Sequence, residues 1–415
     1  MDRLPLSDIT ILDLTWVIAG PLATRLFCDL GARVIKVESR KSFDVLRSGC
    51  RRKGNDDPRK EGGWNYNDLN HGKMHITINL KSEKGREVFE ELVRISDVVV
   101  SNFSAAAFKK LRLTYEELRE INPGIIVMNA SGLGDWGPFS SFVTFAPILQ
   151  SMTGIESLVG YEGADSPLGS YPPVADYMGS LAVCNYLMAA LEFRRKTGKG
   201  QFLDLSQGEA AVSYLGHILL DWQVNRVKKG LRGNHHYADC AAPHNVYQCL
   251  GENQWCAISV ASEKEWKAFA KIIDPCGEWT NSEKYSSTEA RVANQKELDE
   301  RISRWTRQKT AKEVGELLQA AGVSGVPVQN SEDLLYKDEH LKERKFFRKM
   351  VFPPSDREPD SFIVNGLPFF INGYRPTGDL APAPEMGWDT RYVVENILGK
   401  SREWYDEAVK AEAFI

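Results

Sequence analysis

The chain is predicted to be α/β, with a large domain built on an open, parallel, Rossmann-like sheet and a smaller α+β domain. Three observations predict it. Short apolar runs alternate with amphipathic helical patterns from Ile9 to Asn129, the mark of parallel strands joined by crossover helices. From about Asp221 the composition shifts towards charged and aromatic residues. A chain of 415 residues also exceeds what one hydrophobic core usually organises. The expected division is residues 1–220 for the first part of the large domain and 221–330 for the small one. Residues 331–415 are expected to form a linker and a return to the large domain.

Ile9 to Leu14 (ITILDL) reads as a buried strand, and Ala19-Gly20-Pro21 turns it into a helix with Pro21 suited to a first helical position and Gly31 to a C-terminal cap. Arg33 to Glu38 (RVIKVE) is a second strand and Ile76 to Leu80 a third. Ser82 caps a helix on which Val88, Leu92 and Ile95 share one face. Val98 to Val100 and Ile125 to Asn129 continue the alternation. Leu181, Cys184, Leu187, Met188 and Leu191 then mark a helix that ends in Arg194-Arg195-Lys196 and glycines 198 and 200. Val246 to Ala261 followed by a helix over Glu263 to Ile273 predicts the smaller α+β unit. The Pro- and charge-rich stretches PPSDREPD and PTGDLAPAPE read as linker, and the chain is again helical from Thr390.

Composition excludes several functions. Lysine and arginine number 52 against 56 acidic residues, giving a net charge of -4, so no global positive field favours nucleic acid or an anionic membrane. The uncharged run from Trp136 to Ile155 is too rich in Gly, Pro, Ser and Thr for a membrane span, and no signal peptide is expected. Seven cysteines without a CxxC pair suit a reducing compartment, so a cytoplasmic setting is expected. The turn after the first strand, TWVIAGPLA, is not GxGxxG, and there is no Walker P-loop. His235, His236, Cys240 and His244 lie close in sequence, but their spacing matches no usual zinc pattern and no metal is expected there. No resident cofactor is expected either.

Asp176, in YPPVADYMGS, opens the long helix, where backbone amides and the positive end of the helix dipole would keep its carboxylate ionised. An ordinary helix-capping aspartate looks the same. More distinctive is the order of five blocks: LDLTWVIAGPLATRLFCDLGARVIKVES, NHGKMHITINLKSEKGREVFEELVRISDVVVSNF, NPGIIVMNASGLGDWGP, TGKGQFLDLSQGEA and GNHHYADCAAPHNVYQC. Together they resemble the class III coenzyme A transferases almost from end to end.

That resemblance implies a reaction and a set of residues. The family's catalytic aspartate falls on Asp176, which would carry the acyl group as an anhydride and then become an aspartyl-CoA thioester. Coenzyme A is then a substrate, held by Ile18 and Ala19 in the first turn and by Arg40, Arg47, Lys73 and Lys110. Relatives resembling formyl-CoA transferase carry Gln where Ile18 stands and Arg where Ser39 stands, and Lys110 replaces a common Arg. The charged loop from Ser39 to Asn67 and the stretch TFAPILQSMTGI look most like the branch that uses succinyl-CoA, including benzylsuccinate and malate CoA-transferases. Trp16, Phe145 and Tyr177 are the candidates for an aromatic acceptor slot. The family also implies an interlocked, ring-like dimer, either a homodimer or a heteromer with a paralogous subunit.

Two other readings compete. An acyl-CoA racemase on the same fold needs a pair of proton-transfer groups, but the matching positions hold Phe145 and Ala146. A noncatalytic partner subunit would fit the altered CoA contacts, though not the retained Asp176.

Overall fold

The computed structural model describes residues 4–169, 172–228, 230–376, 378 and 380–415. It divides into two compact units, one comprising residues 1–155, 170–225 and 341–415, the other 156–169 and 226–340.

The first unit is built on six parallel strands: β1 (Thr10–Asp13), β2 (Arg33–Glu38), β3 (Met74–Thr77), β4 (Val98–Ser101), β5 (Ile126–Asn129) and β6 (Gln201–Asp204). Their order is β3-β2-β1-β4-β5-β6, so the chain builds outward to one side of β1 and then returns to build outward on the other. Leu12 pairs with Ile35 and Val99 across this centre. Alternate residues feed two apolar layers, which is why the strands read as continuous hydrophobic runs and not as alternating ones. One layer joins Leu12, Ile35, Ile76 and Val127 to Val88, Phe89 and Leu92 of α3 (Glu83–Ile95). The other joins Ile11, Val34, Val98 and Met128 to Phe27 of α1 (Ala19–Asp29) and to Val183 and Leu187 of a 24-residue helix, Val174–Thr197. Between α1 and α3 the short α2 (Trp64–Asn70) carries Tyr66 into the interior.

Local signals set the boundaries. Gly31 at φ 100° follows α1, and the Ser82 hydroxyl accepts from the Gly85 amide at 3.0 Å to start α3. Two short helices, α4 (Ala105–Lys110) and α5 (Tyr115–Ile121), precede β5, and α6 (Ala146–Met152) follows it. The long helix, α7 in chain order, ends at Gly198 in the left-handed conformation and leads into β6. Two further helices, α8 (Gln207–Ser213) and α9 (Gly216–Asn225), close this stretch. Among the described residues α7 alone has the length and apolar character of a membrane span, but its buried face packs on α1 and the sheet.

The second unit is an antiparallel sheet of β7 (His244–Gln248), β8 (Trp255–Ser259) and β9 (Ser324–Pro327). Its core packs Trp266 and Phe269 of α10 (Glu263–Ile273), Leu298 of α11 (Gln295–Thr306) and Val314 of α12 (Ala311–Ala320) against that sheet. After it, PPSDREPD is not a free linker. It connects the antiparallel hairpin β10 (Phe347–Val351) and β11 (Ser361–Asn365), whose cross-strand pairing a proline-rich connection alone did not announce. The C-terminal residues then dock along β3, where the Thr77 hydroxyl donates to the Phe414 carbonyl and the His75 amide to Asp389.

Candidate active site

In an open parallel sheet, ligands bind beyond the carboxyl ends of the strands, at the point where strand order reverses. Here that point lies between β1 and β4. The residues leaving β1 are Leu14 to Ile18, and those leaving β4 are Asn102 and Phe103. The two loops are clamped together: the Trp16 amide donates to Asn102 Oδ1 at 2.9 Å and Asn102 Nδ2 donates to the Trp16 carbonyl at 2.8 Å. The Trp16 ring meets Phe103 edge-on at 5.6 Å. α1 begins one turn later without a side-chain cap and without an acidic residue in its first turn. Its start therefore offers an uncompensated positive dipole beside Ile18 and Ala19. Gly20 is required there, because a Cβ on it would stand 2.3 Å from the Thr15 Cβ.

Asp176 lies at the same edge of the sheet. α7 precedes the parallel strand β6, so its C-terminus lies at the amino edge of the strands, where Arg194 pairs with Asp97 just before β4. Its N-terminus therefore reaches the carboxyl edge. With 24 residues the helix is roughly 36 Å long, against roughly 13 Å for a four-residue strand. Gly179 packs on the Gln207 side chain just past β6, with a built Cβ 3.1 Å from Gln207 Cγ, which makes it a helix-packing glycine. Asp176 stands one turn nearer the helix start, in the first turn. Behind it Gln150 of α6 accepts from the Ala175 amide at 3.3 Å, and Leu149, Ala175 and Ala211 form a small apolar cluster.

The state of this carboxylate differs from the sequence-based expectation. Asp176 is only 8% exposed, and among the described residues no amide caps it. Its own backbone amide turns inward to the Pro173 carbonyl. Burial therefore dominates over the helix dipole and pushes its pKa up to about 6. The group is a carboxylate at neutral pH, held with little solvation.

Two of the cations expected to hold coenzyme A are used inside the protein. Lys73 is buried, and its ammonium donates to Asp13 Oδ2 (2.9 Å), Thr24 Oγ1 (2.8 Å), Asn70 Oδ1 (2.9 Å) and the Pro21 carbonyl (3.0 Å). Burial lowers its pKa to about 8, against the pull of Asp13. Arg47 is equally enclosed: its guanidinium pairs with Glu38 at 2.6 Å and stacks 4.1 Å from the Tyr66 ring. Lys73 spends its ammonium on these four acceptors, whereas Arg47 is enclosed with Nη1 buried and without a partner among the described residues. Arg40 and Lys110 are exposed, Arg40 reaching the Met386 carbonyl and Lys110 lying in the last turn of α4. Trp16 sits at the strand crossover, whereas Phe145 opens α6 and Tyr177 lies on α7, the latter two exposed.

Sequence reasoning passed over the residues that shape the turn, Asp13, Lys36, Asp44 and Asn102. Asn102 was reachable, since it directly follows a strand, but its importance needs the strand order. In the second unit the His235 to His244 cluster divides its partners. His235 lies between Asp299 (2.9 Å) and Glu162 (3.3 Å), while Cys240 Sγ is 3.4 Å from His236 and His244 bonds Ser259 at 2.8 Å. Tyr247 and Asn245 also donate to Asp299, so the cluster ties α11 to β7 beside a groove of about 990 Å³. The described residues contain no group of three or more metal-ligating side chains.

Comparison with known proteins agrees with this fold. A family profile described as CoA-transferase family III matches residues 6–390. The chain is 30% identical over 404 residues to the succinyl-CoA–L-malate CoA-transferase beta subunit of Chloroflexus aurantiacus, covering 96% of each. It is 30% identical to a succinyl-CoA:mesaconate CoA-transferase of Haloarcula marismortui, over 91% of this chain and 93% of that one. It is also 30% identical over 409 residues to a probable CoA-transferase of Mycobacterium tuberculosis, of which it spans about half the length (49%). A crystal structure of a CAIB/BAIF family protein from Brucella suis superposes with a TM-score of 0.83 at 25% identity, over 95% of this chain and all of that one (100%). With its crossover between β1 and β4 and its matched residues running through both units, the chain belongs to CoA-transferase family III.

Proposed function

We propose that this chain transfers coenzyme A from succinyl-CoA to a second carboxylic acid, with Asp176 as the covalent carrier. The observation that carries this reading is a buried carboxylate, poorly solvated yet ionised at neutral pH, at the sheet edge where ligands of such folds bind. An acceptor carboxylate is a poor electrophile, so it must be activated as an anhydride. Asp176 attacks the thioester carbonyl of the donor, and CoA thiolate leaves. The thiolate then attacks the aspartyl carbonyl of the mixed anhydride, releasing succinate and leaving an aspartyl-CoA thioester. The acceptor carboxylate attacks that thioester and again expels CoA thiolate. Attack of the thiolate on the acceptor's acyl carbonyl gives the new acyl-CoA and regenerates Asp176. Low solvation sharpens the nucleophile and protects each anhydride from water.

Succinyl-CoA as donor is supported by the printed names of the relatives from Chloroflexus and Haloarcula. For the acceptor we propose a dicarboxylic acid, with benzylsuccinate as the aromatic case that Trp16, Phe145 or Tyr177 would serve. The racemase reading gains nothing, since Phe145 and Ala146 carry no titratable group and Ala146 is buried. We further propose a dimer, with an identical or a paralogous chain. α9 has no buried residue although Leu220, Trp222 and Val224 project from it, and Leu181, Tyr186 and Met188 are exposed along α7. A cytoplasmic setting fits the seven unpaired cysteines.

The test is to incubate the purified chain with succinyl-CoA and treat it with hydroxylamine or borohydride. An adduct mapping to Asp176, with CoA exchange into an added dicarboxylate, is expected. An unmodified Asp176 in a chain that still exchanges CoA would overturn the mechanism. The same assay with and without a paralogous chain, alongside light scattering, separates a self-sufficient homodimer from a heteromer.

A further inference from the structure

The turn after β1 contains a residue that should not adopt its conformation unaided. Val17 has φ 66°, in the left-handed region where a β-branched side chain is strongly disfavoured. Each neighbouring polar group is held from beneath or beside it. The Val17 amide donates to Asp44 Oδ2 at 3.0 Å, and the other carboxylate oxygen, Oδ1, accepts from the Leu46 amide at 3.0 Å. Lys36 Nζ donates to the Thr15 carbonyl at 2.6 Å and lies 3.8 Å from Asp44 Oδ2. The Thr15 amide and hydroxyl both donate to Asp13 Oδ1, and Asn102 holds both backbone polar groups of Trp16. Asp44, Lys36 and Asp13 are all fully buried, which strengthens the bonds that their side chains make.

A structural cap for the short turn Val45–Ser48 would need only one oxygen of Asp44. The second oxygen spans 27 residues to reach Val17, at the strand crossover and next to Ile18 and Ala19. We infer that Asp44 is a positioning residue for the acyl-CoA substrate: by holding the Val17 amide it fixes the turn that presents the uncapped start of α1 to coenzyme A. This rests on the proposal that the acyl-CoA lies at the crossover between β1 and β4. Asparagine at 44 keeps the size but loses one acceptor and the charge that Lys36 faces, so it cannot serve both amides and the ammonium. Glycine at 17 takes up the left-handed conformation without that help.

The experiment measures CoA affinity by calorimetry and KM for succinyl-CoA in the wild type, Asp44→Asn, and Asp44→Asn combined with Val17→Gly. Thermal melting is followed for each. Asp44→Asn is expected to weaken CoA binding about tenfold and raise KM in parallel, with kcat less affected. The added Val17→Gly is expected to recover most of that affinity while leaving the melting temperature of the single variant unchanged. Wild-type protein that does not bind CoA would count against the proposed function itself. Wild-type binding with Asp44→Asn within twofold of it, or a loss that Val17→Gly fails to recover, would overturn the positioning role alone. If Asp44→Asn does not fold, Asn102→Ala opens the same turn from its other side. It must then weaken CoA binding comparably, and unchanged affinity would overturn the inference.

Discussion

Asp13 and Asp176 are both buried carboxylates at the same edge of one sheet, yet their surroundings are opposite. Burial alone would raise the Asp13 pKa, but Lys73 and Lys36, with the Thr15 and Thr24 hydroxyls, overcome it and hold the group well below the usual range. For Asp176 neither a cation nor a hydrogen bond offsets burial, which raises the pKa to about 6. The network around Asp13 extends through Lys36 to Asp44, while Glu38 binds Arg47 and Tyr66 close by. A charge whose hydrogen bonds are all made is scaffolding. Asp176, which has no such partner among the described residues, is the carboxylate that the proposed function makes reactive.

The largest effect is expected at Asp176. Asp176→Asn keeps shape and removes the proposed nucleophile, so transfer is expected to fall by about 10⁴-fold or more, read as CoA exchange between succinyl-CoA and a dicarboxylate. At the scaffolding member, Lys73→Met leaves Asp13 buried without its closest cation. Denaturant titration is expected to show a loss of about 3–5 kcal/mol, with an equal loss for no single surface lysine.

The third expectation runs in the stabilising direction. Below pH 3.8 Asp176 is protonated in both folded and unfolded chains and has no effect on stability. Between 3.8 and about 6 the unfolded chain releases the proton and the folded one does not, so stability falls as pH rises. Above that range the deficit is constant at up to about 3 kcal/mol, from roughly two pKa units. Asp176→Asn is thus expected to raise the melting temperature at pH 7 and leave it unchanged near pH 3.5. In the wild type, transfer should decline as pH drops through 6, because the protonated acid is no nucleophile. Smallest of all, Arg40→Ala or Lys110→Ala, at exposed positions, should raise KM for the acyl-CoA only a few-fold and more so at low ionic strength.

Much of this was legible in the residues. Apolar runs at Ile9, Arg33, Val98 and Ile125 became β1, β2, β4 and β5, because strands buried on both faces must be hydrophobic throughout. The Ser82 hydroxyl capped its helix, and Gly198, free of a Cβ, stopped α7 in the left-handed conformation. What the residues did not disclose was the fate of each charge. Lys73 and Arg47 are both buried, and a cation in a loop is spelled like a cation under a sheet edge. The hairpin around PPSDREPD was hidden for the same reason, its pairing being a contact between separate strands.

The order of apolar and polar residues therefore determined the layers of the first unit, the positions of its turns and the family to which the chain belongs. Tertiary structure alone decided which ions face inward, that Val17 is held in a left-handed turn, and that burial raises the Asp176 pKa to about 6. The physical reason is range. Strand and helix periodicity act over a few residues, whereas desolvation and Coulomb energy depend on neighbours that folding gathers from distant parts of the chain.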